Sequence, residues 1–223
     1  MNPGYPFALS HPIIPGMKGV AILSGGLDST VSLAAAARAM DVVLAVTFDY
    51  GQRAAKRERE ASARIARRFR VPHRVIEIPW LAAITRTSLV NRSARLPRNE
   101  MSTSSAKAVW VPNRNGVFIE IAAAHAEALG ATRLITGFNR EEAATFPDNS
   151  VPYMKAVSRA LSFSTANGVK VVSYTGTLDK RGIVRVGRRL GAPLDLVWPC
   201  YEGGRSWCRT CESCLRTLRA LDA

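Results

Sequence analysis

Five short apolar runs alternate along this chain with stretches of helical spacing, and that rhythm leaves few ways to fold. The runs are GVAILS (19–24), VVLAVTF (42–48), HRVIEI (73–78), RLITGF (133–138) and VKVVSY (169–174). The helical stretches are STVSLAAAARAM (29–40), AAKREREASARIARRF (54–69), VFIEIAAAHAEALG (117–130), PYMKAVSRALSFS (152–164) and KRGIVRVGRRLG (180–191). Parallel strands need a crossover of a dozen or more residues, usually a helix. The pattern therefore predicts an α/β fold, a doubly wound parallel five-stranded sheet with helices on both faces. Residues 80–109 are rich in Ser, Arg and Asn and read as an irregular excursion. With 223 residues, 47% of them hydrophobic, the chain can bury one substantial core. We divide it into a loose Pro- and Gly-bearing extension at 1–16, the α/β domain at 17–195, and a cysteine-bearing segment with a last helix at 196–223, packed on the same domain. A second methionine, Met17, precedes the first strand and allows a shorter start.

AILSGGLDST (21–30) joins the first strand to the first helix, at the carboxyl end of the sheet, where ligands bind in such folds. The first helical turn presents unpaired N–H groups and the positive end of the helix dipole, which suits a phosphate. Gly25 and Gly26 let the backbone turn tightly against an anion, and Ser24, Ser29 and Thr30 add hydroxyls. Asp28 repels a bare phosphate, which leaves it N-capping or holding a magnesium ion that rides on phosphates. The string has neither the lysine of G-x-x-x-x-G-K-[ST] nor the spacing of G-x-G-x-x-G.

All four cysteines lie in CYEGGRSWCRTCESC: Cys200, Cys208, Cys211 and Cys214. Two overlapping C-x-x-C pairs and an upstream cysteine match a closed tetrahedral zinc site, structural because no position stays open for water. Two disulfides and an iron–sulfur cluster are the other readings of four thiols. The formal net charge of +14 suits an anionic partner (nucleotide, phosphorylated small molecule or RNA) and equally a solvated Arg-rich surface, since the basic residues are spread along the chain. No apolar run approaches the ~18 residues of a membrane span. MNPGYPFALSHPIIPG lacks the charged start of a signal peptide, so the expected compartment is the cytoplasm. His11, His73 and His125 have weak claims to chemistry, and Trp198, Tyr201 and Trp207 read as packing around the cysteines.

The loop resembles the PP-loop of ATP pyrophosphatases, which bind ATP over it, release pyrophosphate and leave AMP on a substrate oxygen. Taken with the cysteine knuckle, the chain resembles the 7-cyano-7-deazaguanine synthase (QueC) family. The likeness runs through LSGGLDST (23–30), TFDYGQR (47–53), the acidic Glu60, VPNRN (111–115), ITGFN (135–139), LDKRGIV (178–184) and WPCYEGG…CRTCESCLR. It departs at TFPDNS (145–150), where the family reads G-Y-P-D-C-R: Phe146, Pro147 and Asp148 keep the aromatic–Pro–Asp core, and Thr145, Asn149 and Ser150 replace Gly, Cys and Arg. The lost arginine leaves a substrate carboxylate to Lys155 or a nearby arginine.

The resemblance implies the adenine nucleotide alpha hydrolase-like fold and a ligase that turns 7-carboxy-7-deazaguanine, ammonia and ATP into a nitrile through an amide, in queuosine precursor biosynthesis. It implies one structural zinc on the four cysteines and Mg²⁺ with ATP as substrate. Asp28, Lys180 and Asp148 become catalytic candidates, with Asp28 placing Mg²⁺, Lys180 on phosphate and Asp148 on the guanine-like edge. Leu23, Ser24, Gly25, Gly26, Leu27, Ser29 and Thr30 become nucleotide contacts, with Arg114, Asn115, Gly137 and Asn139. A homodimer is implied, with small-molecule substrates, no membrane and no stable nucleic-acid partner. Two other readings of the residues are a tRNA-modifying PP-loop enzyme and a paralogue that uses the deazaguanine otherwise.

Overall fold

The computed structural model describes residues 16–99 and 107–222. The expected N-terminal extension, apart from Gly16, lies outside the described residues, as does His11. Five parallel strands form one sheet: β1 (Lys18–Ile22), β2 (Asp41–Asp49), β3 (His73–Glu77), β4 (Arg133–Ile135) and β5 (Lys170–Val172), in the order β3-β2-β1-β4-β5. The long helices are α1 (Leu27–Ala39), α2 (Ala55–Arg68), α3 (Arg114–Ala128), α4 (Val151–Ser164), α5 (Lys180–Leu190) and α6 (Glu212–Leu221). Residues 80–99 carry only one short helical turn, Trp80–Ala83, so the irregular reading holds there.

Alternate strand residues face opposite layers, as the pleat requires. Val20, Val46 and Leu134 pack with Ile119 and Ala122 of α3 and Leu161 of α4. Ala21, Ala45 and Ile135 pack with Leu33 and Ala36 of α1 and Ile65 of α2. Cover on both faces gives the near-continuous apolar stretches of β1, β2 and β4. A smaller cluster of Leu27 and Val31 with Ile183, Val184 and Ala220 ties α1 to α5 and α6.

Two strands, β4 and β5, are only half as long as their apolar runs. β4 ends at Ile135, although the Thr136 amide still donates to Val172 O at 2.8 Å. At Gly137 the chain passes so close to α1 that a Cβ there would lie 2.5 Å from Ser29 N. The chain builds β2 and β3 on one side of β1 and β4 and β5 on the other. The order thus reverses between β1 and β4, and a crevice opens beyond their carboxyl ends.

Candidate active site and metal cluster

The crevice is a cleft of about 240 Å³ bordered by the 23–29 loop, residues 136–138 and the segments 109–119, 146–149 and 198–201. Gly25 holds φ +74°, a left-handed conformation that favours glycine, and a Cβ there would lie 2.9 Å from the carbonyl of Glu58. Gly26 is the N-cap of α1 and brings no side chain, so no side-chain cap covers the first turn. The Ser24 hydroxyl lies 3.1 Å from that of Ser29 and accepts from Gly26 N at 3.3 Å. Thr30 is turned inward, its hydroxyl donating to Gly26 O at 2.7 Å, and is fully buried. Leu23, Ser24, Gly26, Leu27, Asp28, Ser29 and Gly137 line the cleft, whereas Gly25, Thr30 and Asn139 brace it. Because Gly26 is the N-cap, Asp28 sits inside the first turn and caps nothing.

Asp28 instead meets Lys180, the first residue of α5. The Lys180 ammonium is almost wholly buried and donates to Asp28 Oδ2 and, at 2.7 Å, to Glu142 Oε1. Asn139 donates to Asp28 Oδ2 at 3.3 Å, and its own amide oxygen accepts from Glu142 N at 2.8 Å. Burial pushes Asp28 up to about 6 despite Lys180. Burial would raise Glu142, more exposed at 29% against 14%, but Lys180, with help from Asn139 and Arg216, holds it below the usual range. Burial would lower Lys180, but the two carboxylates hold it above its ordinary value. Asp28 Oδ1 is buried with no hydrogen-bond partner among the described residues. A brace backs this cluster: Arg216 of α6 donates to Glu141 Oε1 at 2.6 Å and Glu212 Oε1 at 2.7 Å, and Glu141 Oε2 accepts from Lys180 N at 3.2 Å.

At the other end Trp110 and Phe146 lie nearly parallel, 5.9 Å between centroids. Asp148 sits in the helical turn Pro147–Asn149, and burial raises its carboxyl against the pull of Arg114. Arg114 donates to Tyr50 Oη at 3.3 Å, and the N-cap of α3 is Asn113 without a side-chain bond, so neither Arg114 nor Asn115 caps that helix. Both line the cleft. Lys155 is exposed on α4 and does not, which corrects its candidacy for the missing arginine. Ser150, where the family has arginine, caps α4 by accepting from Tyr153 N at 3.2 Å. His73 bonds Thr47 at 2.8 Å, away from the cleft.

The acidic position on α2 is corrected as well. Glu60 is exposed and pairs with Arg57 at 3.0 Å. The carboxylate in the cleft is Glu58, on the opposite face of the helix, where it accepts from Gln52 Nε2 at 2.7 Å. The string RERE offers both, and only packing against Gly25 and Gln52 selects one. Glu142 had a local signal: it stands three residues after the cap Asn139. Trp110 had none, and Tyr50 was marked only by its place in TFDYGQR.

The four cysteine sulfurs all lie within 4.8 Å of one another, and Cys200, Cys211 and Cys214 are buried. Amides of Glu202 and Cys208 donate to Cys200 Sγ at 3.3 and 3.2 Å, and Cys211 N donates to Cys208 Sγ at 3.2 Å. The neighbouring thiols of Cys211 and Cys214, and then these amides, pull the Cys200 thiol far below its usual range. This donor set can hold a metal ion. Trp198, Tyr201 and Trp207 pack around it, as expected, while Trp198 and Tyr201 also line the cleft. Trp198 N donates to Gly25 O at 2.7 Å, so this segment is tied directly to the loop.

A parallel sheet reversing beside a Ser-Gly-Gly-x-Asp loop, with a lysine meeting the aspartate, defines a PP-loop α/β protein. A solved 4-thiouridine synthetase in complex with RNA and ATP shares the fold, with a TM-score of 0.52 and 21% identity over 93% of this chain and 51% of that one. The family model described as "Queuosine biosynthesis protein QueC" matches residues 18–223, and the chain belongs to that family. The 7-cyano-7-deazaguanine synthase of Pelotomaculum thermopropionicum is 53% identical over 92% of this chain and 96% of its own. That of Bdellovibrio bacteriovorus is 50% identical over 91% and 92%.

Proposed function

We propose that this protein makes 7-cyano-7-deazaguanine from 7-carboxy-7-deazaguanine, ammonia and ATP. The observation that carries the reading is one cleft joining an uncapped helix start, Asp28 and Lys180 to an aromatic and acidic end at Trp110, Phe146 and Asp148. The first end suits a nucleotide's phosphates. The second suits a flat heterocycle with an amidine edge, which a carboxylate recognises by accepting two N–H bonds.

Ser24, Gly26 and Ser29 cradle phosphate, and Leu23 and Leu27 anchor the loop from below. Lys180 turns from its carboxylates toward the phosphates and neutralises charge as pyrophosphate leaves. The orphaned Asp28 Oδ1 fits a magnesium ion, which supplies further charge neutralisation when bound. The substrate carboxylate attacks the α-phosphate, and ammonia then displaces AMP to give the amide. Adenylation of the amide oxygen and loss of AMP give the nitrile. Arg114, the cation beside Asp148, orients the carboxylate in place of the arginine missing at Ser150. Positioning and charge do the work, and no covalent nucleophile is required.

We assign the four cysteines to one structural zinc. Zinc–thiolate bonds of about 2.3 Å place tetrahedral sulfurs about 3.8 Å apart, and Cys208 and Cys214 stand at 4.0 Å. The chain has no other cysteine to carry sulfur, which weighs against tRNA thiolation. A homodimer, a cytoplasmic location and the three-part division of the chain complete the reading; no described helix is long and apolar enough to cross a membrane.

The test incubates purified protein with Mg-ATP, ammonium and the carboxylate and reads products by mass. Nitrile with AMP is expected. A stalled amide would point to the altered 145–150 segment, and no turnover despite bound ATP would overturn the reading.

A further inference from the structure

The reaction so described has no acceptor for the protons that leave nitrogen. Ammonia loses one on becoming an amide, and the amide loses two more on becoming a nitrile. Glu58 is a cleft carboxylate with no task in that scheme. Its Oε2 is anchored by Gln52, which in turn donates to Phe48 O at 3.0 Å and accepts from Tyr50 N at 2.9 Å. This fixes the carboxylate against the loop, since its own backbone carbonyl abuts Gly25. Asp28 and Glu142 stand together at the phosphate end with Lys180, where Asp28 fits the magnesium ion, whereas Glu58 is bound to a neutral amide and stays basic.

We propose that Glu58 is the general base that takes the protons released from nitrogen in both stages, an inference that rests on the synthase reading. In the first, ammonia forms the C–N bond, the C–O bond breaks with its electron pair onto AMP, and one N–H proton passes to the Glu58 carboxylate. In the second, the amide oxygen displaces pyrophosphate from ATP. The nitrogen then gives up two protons as C≡N forms and the C–O pair leaves on AMP. Glu58 returns each proton to water at the cleft mouth. Burial pushes its acid up to about 7 against the pull of Gln52 and Arg114, with Asp49 adding to the push. Asp49 faces it from the end of β2, Tyr50 from the residue after that strand and Arg114 from α3. A base acts best when its acid titrates near the working pH.

The experiment compares the full-length protein with Glu58→Gln and Glu58→Asp. Acid-dependent exchange of labelled pyrophosphate into ATP, without ammonia, reads adenylation and folding. Single-turnover amide formation with ammonium, and conversion of supplied amide to nitrile, read nitrogen chemistry. Exchange in E58Q is expected to stay within about twofold of wild type, while both nitrogen steps fall on the order of 100-fold or more. E58D recovers part of that loss. At a fixed concentration of free ammonia, wild-type nitrogen steps slow below about pH 7, and those of E58Q lose this dependence. Unimpaired nitrogen steps in E58Q, or equal losses in E58Q and E58D, or loss of exchange alongside them, overturn the proposal alone. No acid-dependent exchange in the wild type overturns the synthase reading and this proposal with it.

Discussion

Asp28→Asn is expected to make the ligand-free protein more stable while abolishing its activity. Asp28 is largely buried, with one carboxylate oxygen lacking a partner, and its folded value of about 6 stands above its ordinary 3.8. A group whose value is raised on folding contributes stability below its unfolded value. That contribution is lost as pH rises through the folded value. Between 3.8 and about 6, at ~1.4 kcal/mol per pH unit, the loss comes to ~3 kcal/mol. Asparagine keeps the shape, carries no charge at any pH and still offers a carbonyl to Lys180. It should therefore exceed wild type by up to about 3 kcal/mol at pH 7. The gain should shrink toward zero as pH falls below about 4. Urea unfolding of both proteins from pH 4 to 8, without nucleotide or Mg²⁺, measures that difference directly. Equal or lower stability of D28N at pH 7, or a gap that widens on acidification, would refute the reasoning. The stability given up at this carboxylate is what leaves it ready for a cation.

Gly137→Ala places a Cβ 2.5 Å from Ser29 N; it should cost about 1–3 kcal/mol of stability and abolish ATP binding by calorimetry. Cys211→Ser should lose close to one equivalent of zinc by metal analysis. The protein should be destabilised by several kcal/mol, because a closed thiolate site adds its binding energy to folding. Asp148→Asn should raise KM for the carboxylate about tenfold or more with KM for ATP little changed, as loss of a charged hydrogen bond of ~1.5–3 kcal/mol requires.

Much of this architecture is written locally. The runs at β1, β2 and β4 stand out because strands buried on both faces read as unbroken apolar stretches, whereas the edge strand β3 is largely exposed and shows in the sequence only as a short run. The loop and the cysteines are short strings whose geometry follows from neighbouring residues. What the sequence does not carry is long-range. Lys180 meets an aspartate 152 residues away, and nothing near LDKRG announces a buried lysine. Glu58 and Glu60 differ only in which face of α2 meets the sheet. Trp110, just past the irregular 80–109 region, meets Phe146 beyond β4, and no periodicity at either position announces the pair. The hairpin-tight approach at Gly137 cuts β4 short for a reason that lies in α1.

The cleft draws its walls from residues as far apart in the chain as Ser24 and Tyr201. No partly folded form that lacks the sheet reversal, α5 or the cysteine segment presents those walls together. A nucleotide that uses the whole cleft thus binds the native state alone. By mass action it should raise the free energy of unfolding by about 2.7 kcal/mol at a hundredfold excess over its Kd. Stability in a cell would then follow nucleotide supply, and the protein would be hardest to unfold when it has work to do.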